Sequence, residues 1–382
     1  MRQAERAIFD LRRGLPVLLR DKDAETLVHP VEGLNDANLA DLQALAGGPL
    51  ALSLTRHRLA SIGHAIADEA AALVLAPFPT AAALQRLASA RHERIPAGAQ
   101  TRSPTAAERV AVQLLRHAQM LPAAVIAPVA AKRREAVAEQ VCDGHILAVS
   151  TIEATELCSG RRNRLIRVSD ARVPLELAGD CRFVLFRESS GIHEHIAVVI
   201  GEPADWPQPV PVRLHSSCLT GDVFGSQRCD CGEQLQRGIA SISAQGGGVL
   251  LYLSQEGRGI GLGNKFRAYR LQDEGLDTID ADQVIGFSKD ERDFGIAHEM
   301  LEALGVSRIN LLTNNPAKIK ALVDAGIDVA DRQPLFGLLT DHNQRYLSTK
   351  ADRHGHWLHE LLNEQDEPVI AVGPTPGQRS RS

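Results

Sequence analysis

Cys218, Cys229 and Cys231 fall within fourteen residues of a 382-residue chain that has six cysteines in all. Their spacing is C-x10-C-x-C, and no further Cys or His follows closely enough to close a four-ligand set. Structural zinc sites are usually closed by four protein ligands, whereas catalytic ones often use three and keep a position for water. Three thiolates in one loop therefore point to a metal that ionises a water for attack. Other readings of the same residues stay open: core thiols, or a four-ligand site completed from upstream by His215. A disulfide is a further alternative, although cysteines one residue apart rarely meet its geometry.

Two more stretches carry chemistry. Glu256-Gly257-Arg258-Gly259-Ile260-Gly261-Leu262-Gly263 follows a buried-strand pattern, Gly248 to Leu253, and precedes a helical one, Lys265 to Glu274. Glycines let a backbone approach a ligand closely, and a helix N-terminus favours anions. The stretch does not match G-x-G-x-x-G, which excludes a dinucleotide reading. Asp290 and Arg292 stand at the start of a predicted helix, Glu291 to Leu304, where a capping Asp and a solvated Arg are the plain interpretation. Thr313-Asn314-Asn315-Pro316 ends a strand, Arg308 to Leu312, and opens a helix, Pro316 to Ala325. Asn caps and Pro at the first helical position account for it, yet the same exposed amides with Lys318 suit a triphosphate. His342, His354 and His356 have no cysteines nearby and read as surface or packing residues.

Taken in order, these motifs resemble those of GTP cyclohydrolase II. The likeness runs through Arg213-Leu214-His215-Ser216-Ser217-Cys218-Leu219-Thr220-Gly221-Asp222 and Arg228-Cys229-Asp230-Cys231-Gly232. It continues through Gln255 to Leu262, Asn264-Lys265, Arg267-Ala268-Tyr269, Leu271-Gln272, Gly286-Phe287, Asp290 to Phe294 and Leu311 to Lys318. It spans roughly residues 165 to 360. One position departs: Ser217 stands where the family often has Glu.

The resemblance implies one Zn2+ per chain on Cys218, Cys229 and Cys231, and Mg2+ with the polyphosphate of GTP. It implies conversion of GTP to 2,5-diamino-6-(5-phosphoribosylamino)pyrimidin-4(3H)-one, formate and pyrophosphate, the first committed step of riboflavin synthesis. Asp290 corresponds to the proton acceptor, Arg292 to the nucleophile on the α-phosphorus, and Tyr269 to a tyrosine needed for ring opening. Substrate contacts fall on Arg213, Leu214, His215, Ser216, Ser217, Gln234, Glu256, Gly257, Arg258, Thr278, Thr313 and Lys318. A carboxylate such as Glu256 accepts from the guanine N1 and exocyclic amine, and an arginine holds phosphate. Asp230, between two ligands, is either a hydrogen-bonding support or a plain loop carboxylate. Arg292 poses a chemical problem, because guanidinium is protonated at cellular pH and needs a base beside it to attack. Two rival readings stand beside this one: a paralogue of the uracil-catabolism type, and a non-catalytic zinc-stabilised nucleotide-binding protein.

Such motifs need a scaffold. The length favours two domains, and a hydrophobic content of 44% with only 4% aromatics makes the cores mainly Ala, Leu, Val and Ile. A net charge of −5 argues against general nucleic-acid binding. No apolar run reaches the roughly 20 residues that span a membrane, and Met1 to Arg6 leads into an amphipathic segment rather than a signal sequence. Cys142, Cys158 and Cys181 are scattered, as in a reducing cytoplasm. The family implies a homodimer.

The expected fold class is α/β (α+β). Strand patterns at Leu165 to Val168, Arg182 to Phe186 and His195 to Ile200 give the catalytic domain, 165–362, a β-rich opening, followed by alternating strands and helices. A smaller α/β domain is expected over 1–127, a connector over 128–164 and a disordered tail over 363–382. In the first domain helices are predicted at 5–13, 39–45, 81–90 and 106–119, the last capped by Thr105, and strands at 15–19 and 123–126. Ala7-Ile8, Leu11 to Gly14, Pro16-Val17 and Leu121 to Ile126 resemble the opening and close of dihydroxybutanone-phosphate synthase. That enzyme needs a dense acidic run after its first strand. Here Arg20-Asp21-Lys22-Asp23-Ala24-Glu25-Thr26 is interrupted by a cation, so the domain reads as a catalytically dead remnant.

Overall fold

The computed structural model describes residues 2–22, 24–159 and 165–337, together with Arg353 and Trp357. His342, His354, His356, the run Arg161 to Arg164 and the tail from 363 lie outside the described residues.

The first half builds one sheet from β1 (Val17–Asp21), β2 (Ala24–Pro30), β3 (Ala51–Thr55), β4 (Ala70–Val74), β5 (Gln100–Arg102), β6 (Ala123–Pro128) and β7 (Leu147–Ser150), in the order β5-β4-β3-β6-β2-β1-β7. The helix Ala106–His117 packs across it. Its start is fixed by a capping box in which the Thr105 hydroxyl accepts from Glu108 N and the Glu108 carboxylate accepts from Thr105 N. Val110, Ala111, Leu114 and Leu115 of that helix are buried beside Val28, Ala124 and Ile126. The stretch expected as a connector is instead part of this half through Ser159. Strand β7 pairs parallel with β1, and Ala154 and Leu157 of the helix Thr151–Cys158 enter the same core. Sequence pattern hid this because β7 is four residues long and the helix has weak amphipathy.

The second half contributes β8 (Leu165–Leu175), β9 (Gly179–Glu188), β10 (Glu194–Ile200), β11 (Val210–Ser216), β12 (Gly248–Leu253), β13 (Arg308–Leu312) and β14 (Asp328–Gln333). Their order is β14-β13-β11-β12-β10-β9-β8. The expected β-rich opening is the antiparallel run β8-β9-β10, which joins β12. Beyond it β12, β11, β13 and β14 are parallel, as strand–helix alternation requires. The chain leaves β11 for β12 on one side and returns to β13 on the other. The C-terminal ends of these strands thus border a switch point, where open α/β sheets bind ligands.

The two halves share a core. Leu52, Leu54, Leu59, Leu87 and Leu121 from the first form one apolar cluster with Ile260, Leu271, Val284, Ile285 and Phe287 from the second. Polar bonds cross the same seam. The Thr55 hydroxyl donates to Gly286 O at 2.7 Å. Arg58, 1% exposed, donates to Val284 O across the seam and to Leu87 O and Ala90 O in its own half. Burial pushes its guanidinium down to about 10, so it remains charged at neutral pH. Arg58→Ala would leave these buried carbonyls without a donor, at a cost of about 3 kcal/mol. Urea unfolding of the full chain should show the midpoint falling accordingly; an unchanged midpoint would remove Arg58 from the structural account.

Candidate active site

The end of β11 runs through Ser216 and Ser217 into Cys218, and Ser217 N still donates to Leu253 O of β12 at 2.8 Å. A short helix, Leu219–Asp222, turns the chain back, and the helix Cys231–Ala244 starts on the third cysteine. This geometry brings the three sulfurs within 4.8 Å of one another. Among the described residues they are the one group of His, Cys, Asp or Glu side chains so gathered. Gly221 backs the cluster so closely that a Cβ there would sit 2.9 Å from Cys229 Sγ and 3.1 Å from Cys218 Sγ. His215 does not complete the set. Its Nε2 faces the Asp222 carboxylate at 3.1 Å, and its ring stacks on Tyr252.

Asp222 fixes the loop. Its carboxylate accepts from His215, from the Tyr252 hydroxyl at 2.8 Å and from Cys218 N at 2.9 Å. Lys265, in the first turn of the helix Leu262–Asp273, meets the cluster from the other side. Its ammonium donates to Cys218 Sγ at 3.2 Å, to Thr220 Oγ1 at 3.0 Å and to Glu256 Oε1 at 2.8 Å. Burial opposes that charge, but Glu256 and Cys218 outweigh it and hold the ammonium above its ordinary range. Hydrogen bonds from Cys229 and Cys231, helped by Lys265, hold the Cys218 thiol far below its usual value. The same sharing pushes Cys229 up to about 11.

The second wall is the loop after β12. Glu256 Oε2 accepts from Leu219 N at 2.7 Å, so this carboxylate ties the loop to the cysteine segment. Gly257 and Arg258 both adopt left-handed backbone, with φ of 62° at each. For Arg258, which has a Cβ, that conformation costs about 1 kcal/mol or more and is held by the surroundings. Its guanidinium pairs with the buried Asp282, whose carboxyl burial pushes up to about 6 against the pull of Arg258.

Arg292 supplies the third wall with Asp290 bonded to it from outside the cavity lining, and here the structure corrects the sequence. The helix begins at Gly295, so both residues lie in an irregular loop rather than at a helix start. Arg292 donates to Asp290 in a fork, Nε to Oδ1 at 2.9 Å and Nη2 to Oδ2 at 2.6 Å. Burial would raise the Asp290 carboxyl, but this fork prevails and holds it below its ordinary value. The fork uses Nε and Nη2, leaving Nη1 outside it.

One cavity is lined by Ser216, Ser217, the three cysteines, Glu256, Gly257, Arg258, Tyr269, Thr278 and Arg292. Tyr269 stands with its ring 4.9 Å from the Arg228 guanidinium, and burial raises its phenol above the ordinary value. Ser216 Oγ and Gln255 Oε1 are buried in this wall with no partner among the described residues, and a polar ligand would supply one. Other predicted contacts do not line the cavity. Arg213 is buried, donating to Leu312 O and to Gln234, which in turn bonds Asp230. That makes Asp230 a hydrogen-bonding support. Leu214 is fully buried core, His215 holds Asp222, and Thr313 accepts from Asn315 N at 3.1 Å. Lys318 donates to Leu214 O at 2.7 Å, and Asn315 caps the helix Pro316–Asp324.

Sequence reasoning gave no role to Lys265, Asp222, Tyr252 or Asp282. Lys265 and Asp222 lay inside motifs noted in the sequence, but their burial, which marks them out, is seen only in the fold. Asp282 left no signal, being one carboxylate in a short helix, Thr278–Val284.

Known proteins resemble the chain. The family model described as GTP cyclohydrolase II matches residues 166–334. A GTP cyclohydrolase-2 of Azospirillum brasilense is 40% identical over 365 residues, covering 93% of this chain and 94% of its own. One from Xylella fastidiosa (strain 9a5c) is 40% identical over 362 residues, covering 93% and 87%. One from Azotobacter vinelandii is 56% identical over 168 residues, 44% of this chain and 80% of its own. A solved two-domain 3,4-dihydroxy-2-butanone 4-phosphate synthase from A. baumannii aligns over 88% of this chain and 99% of its own at 17% identity, with a TM-score of only 0.33.

The Lys265 ammonium places a positive charge on Cys218 Sγ, beside the gathered sulfurs. A metal held by the three sulfurs would gain from that charge, so Lys265→Met should weaken its retention roughly tenfold to a hundredfold, as loss of a ligand's supporting partner does. Chelator competition on the folded protein reads this directly; equal release from variant and parent would show that the ammonium does not stabilise the thiolates.

Proposed function

The chain belongs to the GTP cyclohydrolase II family, and on that premise we propose a zinc-dependent hydrolysis of GTP for which one cavity holds both reacting ends. The products of this reading are 2,5-diamino-6-(5-phosphoribosylamino)pyrimidin-4(3H)-one, formate and pyrophosphate, the entry step of riboflavin synthesis. The observation that carries it is that the thiol cluster and Arg292 line the same cavity.

Cys218, Cys229 and Cys231 would hold Zn2+. The fit is good: Cys218 Sγ and Cys229 Sγ are 3.7 Å apart, and two sulfurs about 2.3 Å from a tetrahedral ion stand about 3.8 Å apart. When bound, the metal supplies an ionised water for opening the imidazole ring. The protein's own groups do the rest. Glu256, held in place by Lys265 and Leu219 N, accepts from the guanine N1 and amine. Ser216, Ser217, Gly257 and Thr278 border the base and ribose, and Arg258 faces the phosphates. Tyr269 positions the ring and carries a proton during opening; its raised phenol is protonated at neutral pH.

Arg292 acts at the α-phosphorus. Asp290 is ionised and bonded to two of its nitrogens, so a base already stands where a guanidinium needs one to become nucleophilic. Arg213, Gln234, Thr313 and Lys318 act from behind the cavity wall, fixing the ends of β11 and β13. Mg2+ accompanies the polyphosphate as part of the substrate. Family membership also implies a cytoplasmic homodimer, which sizing in solution tests. No helix among the described residues is long and apolar enough to cross a membrane.

The first half keeps the role of a remnant. Ribulose 5-phosphate should give no dihydroxybutanone phosphate above a control lacking enzyme, even with Mg2+; measurable product would refute that role.

Purified protein given GTP should release formate and pyrophosphate and contain about one zinc per chain. Cys229→Ser should lose the zinc and formate release, while pyrophosphate release persists. Tyr269→Phe should likewise lower formate without matching loss of pyrophosphate. Arg292→Ala should abolish pyrophosphate release. Arg292→Lys keeps a charge without the planar fork, so a plain phosphate clamp would retain partial activity and the nucleophile would not. Trapping a guanylylated peptide containing Arg292 decides for the covalent step, and full activity in Arg292→Ala ends both versions.

A further inference from the structure

We infer that Arg116, in the first half of the chain, is a positioning residue for the reaction, acting through Glu291 to hold the loop that carries Asp290 and Arg292. The inference rests on the reading of those two residues given above.

Residues 288–294 form neither helix nor strand, so their shape comes from bonds to other segments. Glu291 makes three of them. Its backbone N–H donates to Arg258 O at 3.0 Å, tying the loop to the segment after β12. Its Oε1 accepts from Ser288 N at 2.7 Å, closing the loop on itself. Its Oε2 accepts from Arg116 Nη2 at 2.5 Å, reaching the other half. The approach to the β12 loop is tight: a Cβ at Gly259 would stand 2.9 Å from the Glu291 carbonyl. Glu291 is therefore fixed on three sides, and its immediate neighbours are the proposed base and nucleophile.

Charge gives Arg116 a second task. Three carboxylates cluster here, and each is matched by one arginine: Asp282 with Arg258, Asp290 with Arg292, and Glu291 with Arg116. The Glu291 and Asp290 charges both act on Asp282, so the three pairs lie within one another's field. Without Arg116, Glu291 becomes an unmatched carboxylate beside two arginines already in use. It then competes with Asp290 for Arg292, or with Asp282 for Arg258, and either shift displaces a group facing substrate. The plain explanation of Arg116 is a cation in the last turn of the helix Ala106–His117, where the helix dipole favours one. That explanation predicts a stability effect and nothing more.

The test uses the full chain, with Arg116→Met, Arg116→Lys, Glu291→Gln and the double variant Arg116→Met/Glu291→Gln. Each is assayed for kcat and KM with GTP, reading pyrophosphate and formate, alongside its unfolding midpoint. Arg116→Met should lower kcat roughly tenfold to a hundredfold with KM nearly unchanged, the size of effect that a small misplacement of reacting groups produces. Arg116→Lys should recover much of that loss. The double variant should be less impaired than Arg116→Met alone, because no unmatched carboxylate remains; only a charge role predicts that rescue. Parental kcat in Arg116→Met, or losses that multiply in the double variant, would overturn the inference. If kcat falls only in step with the unfolding midpoint, and Glu291→Gln gives no rescue, Arg116 is structural and the inference also fails. A parent protein that releases neither product would instead overturn the functional reading on which the inference stands.

Discussion

A buried ammonium holds this site together. Lys265 Nζ stands between Cys218 Sγ and Glu256 Oε1, and through them it joins the cysteine loop to the loop after β12. Three sulfurs are packed against Gly221, and the Cys218 thiol among them is held far below its usual value. A buried anion is tolerable only with a partner. Lysine suits this place because its compact charge can touch a sulfur, a hydroxyl and a carboxylate together. Both neighbours depend on it: Cys218 Sγ and Glu256 Oε1 each accept from the ammonium, while Glu256 Oε2 receives Leu219 N.

The legible part of the site was the part written in local spacing. C-x10-C-x-C gave the thiol cluster, and a glycine-rich run after an apolar strand gave the second wall. The cap at Asn315 with Pro316 behind it gave the helix start at its observed place. Three things were not legible. The helix expected from Glu291 starts at Gly295, because Asp290, Glu291 and Asp293 spend their side chains on loop bonds that a propensity argument reads as first-turn carboxylates. Strands β3 and β4 are five-residue, mostly apolar runs, where alternation is too brief to separate strand from helix. The pairing of Arg258 with Asp282 and of Arg116 with Glu291 joins residues 24 and 175 positions apart. No periodicity records such distances, only the folded chain does.

The seam between the halves changes what the first half is for. Its sheet is complete within itself, yet its core continues into the second half through Ile260, Leu271, Ile285 and Phe287. Gly261 lies against Gln119, and Asn264 donates to Gln119 O at 2.9 Å. The end of the helix Ala106–His117 and the turn after it therefore form the floor under the loop that runs from Glu256 to Lys265. A domain that had merely lost a catalytic task would be free to drift from its neighbour. This one cannot drift without disturbing the helix that supplies Lys265. Relatives at 40% identity align over 93% of this chain, so the first half travels with the second in those proteins as well.

The site thus combines two kinds of support. Cys218 and Glu256 stand just beyond the ends of β11 and β12, adjacent strands whose parallel pairing fixes their separation. Rigid elements of this kind hold groups to within fractions of an ångström. Asp290 and Arg292 have no such element beneath them. Their loop is held by Gln255 on Asp293 O, by Arg258 O on Glu291 N, by the Ser288 hydroxyl on Asp290 O and by Arg116. Three of these contacts come from within the second half and one from the first. A loop held by a few bonds can yield when a triphosphate enters and re-form around it, which a strand end cannot do. On the proposed reading, ring opening needs the three sulfurs to stay fixed, whereas pyrophosphate must leave after the phosphorus step. The rigid wall and the tethered loop fit that division: the proposal puts the base where the scaffold is stiff, and the phosphates where it can open.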